Sequence, residues 1–218
     1  MSLLSLRLES ALKYTKGFYK LADIGCDHAY FPIEAIMLGY VKKAIASDNK
    51  QRPYEHAMIN VIEHNLEAQI QVVLTDGLDC LDDEVDIVSI LGMGGFMIRD
   101  ILETKDVAKI KRFVFSPNSD QHVVREFLEE NNFNIIDEEF IKDKGKFYQI
   151  IVCEHGIMHL TSNERKYGPI NIKKQPSALI EFIQLMVSKL EVALLHSKTE
   201  DSKQKLQNEL AELKEVLM

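Results

Sequence analysis

The chain has 218 residues, 46% of them hydrophobic, and a formal charge of −8 at pH 7, enough for one full α/β domain with a small appendage. No apolar run approaches the roughly 20 residues that cross a bilayer and no charged-then-apolar leader opens the chain, so no membrane association and a cytoplasmic location are expected. Cys26, Cys80 and Cys153 are odd in number and form no Cys-x-x-Cys pair, which speaks against a disulfide framework or zinc knuckle and predicts reduced thiols and no metal.

A leading helix is predicted over 3–16, then a strand over 19–24, a helix over 31–38, a strand over 41–47, a helix over 54–65 and a strand over 70–74. Strands over 85–91 and 112–116 follow, with helices over 96–103 and 119–131. Five strands joined by crossover helices make a parallel sheet. Runs over 133–141 and 147–154 are separated only by Lys142-Asp143-Lys144-Gly145-Lys146, too short for a crossover and suited to an antiparallel hairpin. Residues 1–155 thus read as a Rossmann-like seven-stranded α/β domain.

Beyond Glu154, Gly156, Gly168, Pro169 and Pro176 punctuate a polar link with no further strand. Leu179, Phe182, Ile183, Leu185, Met186 and Leu190 make one apolar helical face, and Leu206, Leu210, Leu213 and Leu217 a narrow stripe. With a turn over 197–203, residues 156–218 read as a linker and a coiled-coil-like α-helical hairpin. A stripe covered within its own chain favours a monomer; the same stripe on two chains would make a homodimer.

In Leu21-Ala22-Asp23-Ile24-Gly25-Cys26-Asp27-His28-Ala29-Tyr30 a strand delivers an acid and a glycine onto the turn that opens a helix. A dinucleotide-binding turn places glycines where backbone amides close on a pyrophosphate; here Asp27 holds the second glycine position. Two acids beside the turn repel phosphate but suit a sulfonium, an ammonium and a nucleoside without phosphate, the features of S-adenosylmethionine. Asp48 ends the second strand, where a carboxylate accepts ribose hydroxyls. Asp76-Gly77 follows the third, where an acid accepts an adenine amine. Gly92-Met93-Gly94-Gly95 follows the fourth, a lip with little side chain beside the reacting methyl. No Gly-Lys-Ser/Thr phosphate loop is present. His56 and His64, eight apart, and the acids of 82–86 lack metal-ligand spacing and read as solvated surface.

The charge is uneven: residues 61–110 carry 3 basic and 11 acidic side chains, whereas 1–60 and 156–218 are slightly basic. Lys42, Lys43, Lys50, Arg52, Arg165, Lys166, Lys173 and Lys174 are the candidates for a face toward RNA.

The motifs Asp-Ile-Gly-x-Asp-His-Ala-Tyr over 23–30, Asp76-Gly77-Leu78, Gly92-Met93-Gly94-Gly95, Pro117-Asn118 and Tyr167-Gly168-Pro169 together resemble the bacterial tRNA (adenine-22 N1)-methyltransferase family nearly end to end. The resemblance implies a class I methyltransferase fold, S-adenosyl-L-methionine as cofactor, tRNA as partner, and methylation of N1 of an adenine in the D-arm region. Two positions depart from the pattern: Cys26, where Ser or Thr is expected, and Ser116, where Gln precedes Pro-Asn.

Arg7, Asp23, Gly25, Asp48, Asp76, Gly77, Gly92, Met93, Gly94 and Gly95 are the expected cofactor residues, Arg7 reaching either the cofactor carboxylate or a phosphate. Asp27 and His28 are candidates for charge stabilisation or removal of the N6 proton, Asn118 for holding the base edge, and Tyr148, with Tyr30 and Phe147, for stacking. Two other readings stay open: a methyltransferase for a small metabolite or a protein, and a non-catalytic RNA-binding protein that keeps a cofactor pocket.

Overall fold

Strand β1 (Lys20–Ile24) is buried at every position, as a strand covered on both faces must be, which accounts for its unbroken run of largely apolar residues. β2 (Lys43–Asp48) lies parallel on one side of it and β4 (Ile87–Leu91) on the other. β3 (Ile70–Leu74) extends the sheet past β2, and β5 (Arg112–Ser116) extends it past β4. The predicted hairpin is present as β6 (Phe133–Asp143) and β7 (Lys146–His155), with β7 antiparallel to β5. The order is β3-β2-β1-β4-β5-β7-β6, in a computed structural model that describes residues 4–217. Leu3, which opens the predicted leading helix, and Met218, which closes the predicted second domain, lie outside the described residues.

Helices α1 (Leu6–Leu12), α2 (Tyr30–Met37) and α3 (Gln51–Glu63) cover one face of the sheet; α4 (Gly95–Leu102) and α5 (Gln121–Glu130) cover the other. Successive strand residues therefore serve different cores: Val114 belongs to the one that holds Leu12, Phe31 and Val61, whereas Phe113 and Phe115 belong to the one that holds Ile98, Val124 and Phe127. The leading helix is shorter than predicted, its last turn tightening into a 3-10 turn over Lys13–Thr15. β4 begins later than predicted because Val85 still closes a turn on the Asp82 carbonyl.

The predicted polar link is itself helical. α6 (Ser162–Tyr167) opens with a capping box between Thr161 and Glu164, and α7 (Pro169–Lys174) starts on a proline whose missing N–H is not needed there. α8 (Ser177–His196) and α9 (Glu200–Val216) then form the predicted antiparallel pair, Gln175 at the foot of α8 donating to the Val216 carbonyl at the end of α9 (2.6 Å). Leu213 is buried, and Leu206, Leu210 and Leu217 pack against the same cluster. Leu185, assigned to the inner face from sequence, points outward and is 45% exposed.

Arg125 of α5 ties this helical arm to the sheet. Its fully buried guanidinium donates to Glu138 Oε1 (2.9 and 2.6 Å), to Gln149 Oε1 (2.7 Å) and to the carbonyls of Arg165 and Lys166 (3.0 and 3.4 Å). The second Glu138 oxygen accepts from the N–H groups of Ile170 and Asn171 (3.0 and 3.4 Å). Removing one partner of such a pair strands the other without water. Glu138→Ala is therefore expected to lower unfolding free energy by about 3–5 kcal/mol, read by calorimetry. Arg125→Met combined with Glu138→Leu should recover only part of that loss, because Gln149 and the backbone groups of Arg165, Lys166, Ile170 and Asn171 then lack partners.

Candidate functional site

All five parallel strands end at one edge of the sheet, and their order reverses between β1 and β4, where α/β sheets bind ligands. A cleft of about 690 Å³ opens there, with Gly25, Asp27, Asp48, Asp76, Gly77 and Met93 in its wall. Of the predicted cofactor residues, these line it directly together with one catalytic candidate, Asp27. Asn49, Pro53, Thr75, Met97 and Ile101 also line it and were not singled out from sequence, although Asn49 and Thr75 adjoin acids that were; Lys50, read from sequence as a cation facing RNA, lines the cleft as well.

The elbow after β1 is made by backbone. Gly25 and Cys26 both donate to the Ser47 carbonyl (2.8 and 2.9 Å), which turns the chain across the end of β2. Asp27 and Ala29 then adopt φ of 51° and 57°, a left-handed conformation that costs a non-glycine residue about 1–3 kcal/mol and is typical of ligand-binding turns. Asp48 steadies the elbow by accepting from the N–H groups of Asp27 (3.3 Å) and Lys50 (3.0 Å), one on each oxygen. A second lone pair remains on each. Asp76 is exposed and accepts from Asn49 Nδ2 (3.2 Å). Cys26, the first departure from the family pattern, is buried beneath the turn, and burial pushes its thiol pKa up.

The lip after β4 is set by close backbone approach. Gly95 donates to the Ser119 carbonyl (2.9 Å), Gly94 bridges to Ser119, and any Cβ at Gly95 would overlap the Asp120 carbonyl. The Met93 side chain lies directly against Gly25, in space a Cβ there would need. Gly92 lies under Arg7, whose Nη1 would sit 3.2 Å from a Cβ at that position.

Arg7, Gly92, Asn118 and Tyr148 form a second cluster that adjoins the cleft through Met93. The Arg7 guanidinium lies 5.1 Å from the centroid of the Tyr148 ring, and its Nη1 donates to Asn118 Oδ1 (3.2 Å). Asn118 in turn donates from Nδ2 to the Gly92 carbonyl (2.5 Å) and from its backbone to the Met93 carbonyl (2.8 Å). Burial lowers the Arg7 pKa, opposed by Tyr148, Asp143 and Asp23. Just before this loop, the Ser116 hydroxyl is buried with no hydrogen-bond partner among the described residues, so the second departure leaves a polar group unsatisfied. Phe147 does not join the cluster; it packs with Phe140 and Phe182 against α8, a correction to its reading as a stacking surface.

His28 lies beside the elbow, its Nε2 3.6 Å from Asp27 Oδ2. Its ring stacks on Tyr30 (centroids 5.6 Å apart) and on His56 (5.0 Å, rings 6° from parallel), and its carbonyl accepts from Asn60 Nδ2 (2.8 Å). His56 is thus a half-buried ring partner, not the solvated surface residue expected from spacing. Among the cations predicted to face RNA, Lys43, Arg165, Lys166 and Lys174 are held by Glu84, Glu129, Glu212 and Asp137. Lys42, Lys50, Arg52 and Lys173 have no acidic partner among the described residues. No group of three or more possible metal ligands occurs among the described residues.

Asp23 sits beneath both clusters, buried, accepting from Ser89 Oγ (2.6 Å). Burial, with the nearby Asp48 charge, raises its pKa to about 7 against the pull of Ser89 and Arg7. The folded chain therefore holds this proton between about pH 4 and 7, where the unfolded chain does not. The stability it contributes is full below pH 4 and lost as pH rises to 7. Urea unfolding should show Asp23→Asn gaining on the unsubstituted chain from pH 5 to 7 and holding that gain above.

Comparison with known proteins agrees with this geometry. The family model TrmK, tRNA (adenine(22)-N(1))-methyltransferase, matches residues 21–216. The tRNA (adenine(22)-N(1))-methyltransferase of Bacillus subtilis (strain 168) is 33% identical over 98% of this chain and 95% of its own. Streptococcus pneumoniae Sp1610 in complex with S-adenosyl-L-methionine superposes with a TM-score of 0.90 at 35% identity, covering 99% of this chain and 100% of that one. M. capricolum TrmK in complex with S-adenosyl-homocysteine gives 0.87 at 27% identity, over 99% of this chain and 98% of that one. With its seven-stranded sheet, its acid-lined switch-point cleft and a match that runs through the helical arm, the chain belongs to the TrmK family of tRNA (adenine(22)-N(1))-methyltransferases.

Proposed function

We infer that the chain transfers the methyl group of S-adenosyl-L-methionine to N1 of adenine 22 in tRNA. The observation that carries this reading is the cleft itself: Asp27, Asp48 and Asp76 surround it against one lysine, Lys50. Such a site disfavours phosphate and suits a cationic nucleoside, so the residues present fit this cofactor. Family membership favours tRNA over a metabolite or protein acceptor.

We assign Asp48 to the ribose hydroxyls, Asp76 with Gly77 to the adenine, and Asp23, Arg7 and the Gly92-Met93-Gly94-Gly95 lip to the methionine end. Bound there, the cofactor supplies a methyl group on a positively charged sulfur. Adenine N1 carries its own lone pair, so the residues need chiefly to align it, and a near-attack pose is worth roughly 7–11 kcal/mol. Asn118 and Tyr148 hold the edge and face of an adenine drawn out of its stack. Asp27 stabilises the positive charge that develops on the base, and His28, oriented by Asp27, accepts a proton from N6 after transfer. Residues 1–155 form the cofactor-binding domain in this reading, and 156–218 help hold the substrate. A monomer is favoured because α8 covers the leucine stripe of α9. No helix among the described residues is long and apolar enough to cross a membrane, and we place the enzyme with its tRNA in the cytoplasm.

Incubated with labelled cofactor, unmodified tRNA should yield N1-methyladenosine by mass spectrometry, and tRNA with guanine at position 22 should yield none. Asp48→Ala should fold normally yet bind cofactor at least about tenfold more weakly, the loss of charged hydrogen bonds. Because Asp23 must ionise to face a cation, cofactor affinity should rise by up to about tenfold per pH unit below 7 and level off above. Calorimetry would show whether Asp23→Asn abolishes that dependence.

A further inference from the structure

β6 and β7 have 11 and 10 residues, whereas β4 and β5 have 5 each. The excess lies at one end. Phe115, next to the last residue of β5, pairs with Ile151, and β7 continues antiparallel from there back to Lys146, opposite Asp143. The hairpin therefore overhangs the carboxyl edge of the sheet by roughly 15 Å, on the side of the cleft and the Arg7-Asn118-Tyr148 cluster.

This overhang is braced. Asp143 Oδ2 accepts from the Arg7 backbone N–H (3.4 Å), Lys142 Nζ meets Glu181 Oε1 of α8 (2.5 Å), and Phe147 packs against Phe182. At its tip, Lys144 and Lys146 are exposed, and neither has an acidic partner among the described residues. Lys142, in the same hairpin, is paired. Turn geometry does not select Lys144: its φ of +48°, followed by Gly145 at +80°, is a conformation better suited to Asn or Asp.

We propose that the overhanging tip, through Lys144 and Lys146, grips backbone phosphates of the tRNA beside the target adenine. The proposal rests on the tRNA reading above and adds residues to it. A lysine already paired must give up its carboxylate to bind phosphate, whereas an unpaired one gains the full release of counterions from the RNA. Held rigidly beside Tyr148, the two ammonium groups fix the strand that carries the extruded base without touching the base, so their contribution is to substrate capture and not to the chemical step.

The test is steady-state methylation of unmodified tRNA across a series of salt concentrations by the full chain carrying Lys144→Gln and Lys146→Gln. The expected result is a KM about tenfold higher near physiological salt, and a log KM against log salt slope shallower by roughly two. The kcat and cofactor affinity should stay at their unsubstituted values. Lys109→Gln, which removes a charge from the opposite edge of the sheet, and the paired substitutions Lys144→Arg and Lys146→Arg, should leave KM and slope unchanged. Unchanged KM and slope in the glutamine variant overturn the proposal, as does an arginine variant as impaired as the glutamine one. An unsubstituted chain that binds cofactor but methylates no tRNA sinks the underlying assignment, and the grip with it.

Discussion

Steric crowding where the loops after β1, β4 and β5 meet governs the layout of the site. Gly95 passes so near the Asp120 carbonyl that no side chain fits, Met93 lies on Gly25, and Arg7 lies over Gly92. These contacts fix the three loops relative to one another before any ligand arrives. Preorganisation of this kind lets a reaction that needs only alignment proceed without a dedicated base to activate the nucleophile. It also explains why the lip is made of glycine and one methionine: the side chains that would fill it would separate loops that must touch.

The helical arm is attached by a joint of a different kind. Arg125 and Glu138 satisfy one another and also backbone groups of α6 and α7, so the arm's position follows from fixed hydrogen-bond geometry. Apolar packing alone would tolerate sliding; a buried guanidinium with defined partners does not. The same arm then braces the catalytic side through Lys142 with Glu181 and through Phe140, Phe147 and Phe182. Sheet, hairpin and arm thereby hold a constant spacing around the cleft.

Short apolar runs alternating with amphipathic helices, and acids at strand ends, made the sheet and the cleft wall legible from sequence, because both are local: five or six residues buried on both faces, and a carboxylate at or just past their end. Six-residue helices such as α6 complete too few turns to show an apolar period, and only the Thr161-Glu164 capping box betrays that one. The stack of His28 on His56 joins residues 28 apart, and Arg7 meets Tyr148 across most of the chain. No spacing rule reaches that far. Phe147 and Tyr148, by contrast, are neighbours on a strand and must face opposite ways, so one of the two had to be packing; sequence did not say which.

The acidic total charge runs against an RNA substrate only as a sum, because it conceals a division between the two edges of the sheet. Asp82, Asp83, Glu84 and Asp86 lie in and beside the loop that enters β4, at the amino edge, and are met by Lys20, Lys109, Lys43 and Lys111. That edge neutralises itself. At the carboxyl edge, Asp27, Asp48 and Asp76 are gathered around the cleft, the place we propose for the cationic cofactor. Lys144, Lys146 and Arg52 remain exposed with no acidic partner among the described residues. An approaching phosphate backbone meets local fields within about a Debye length of 8–10 Å, not the sum over the molecule. Net charge is thus a poor guide to partner here, and the pairing state of each cation a better one.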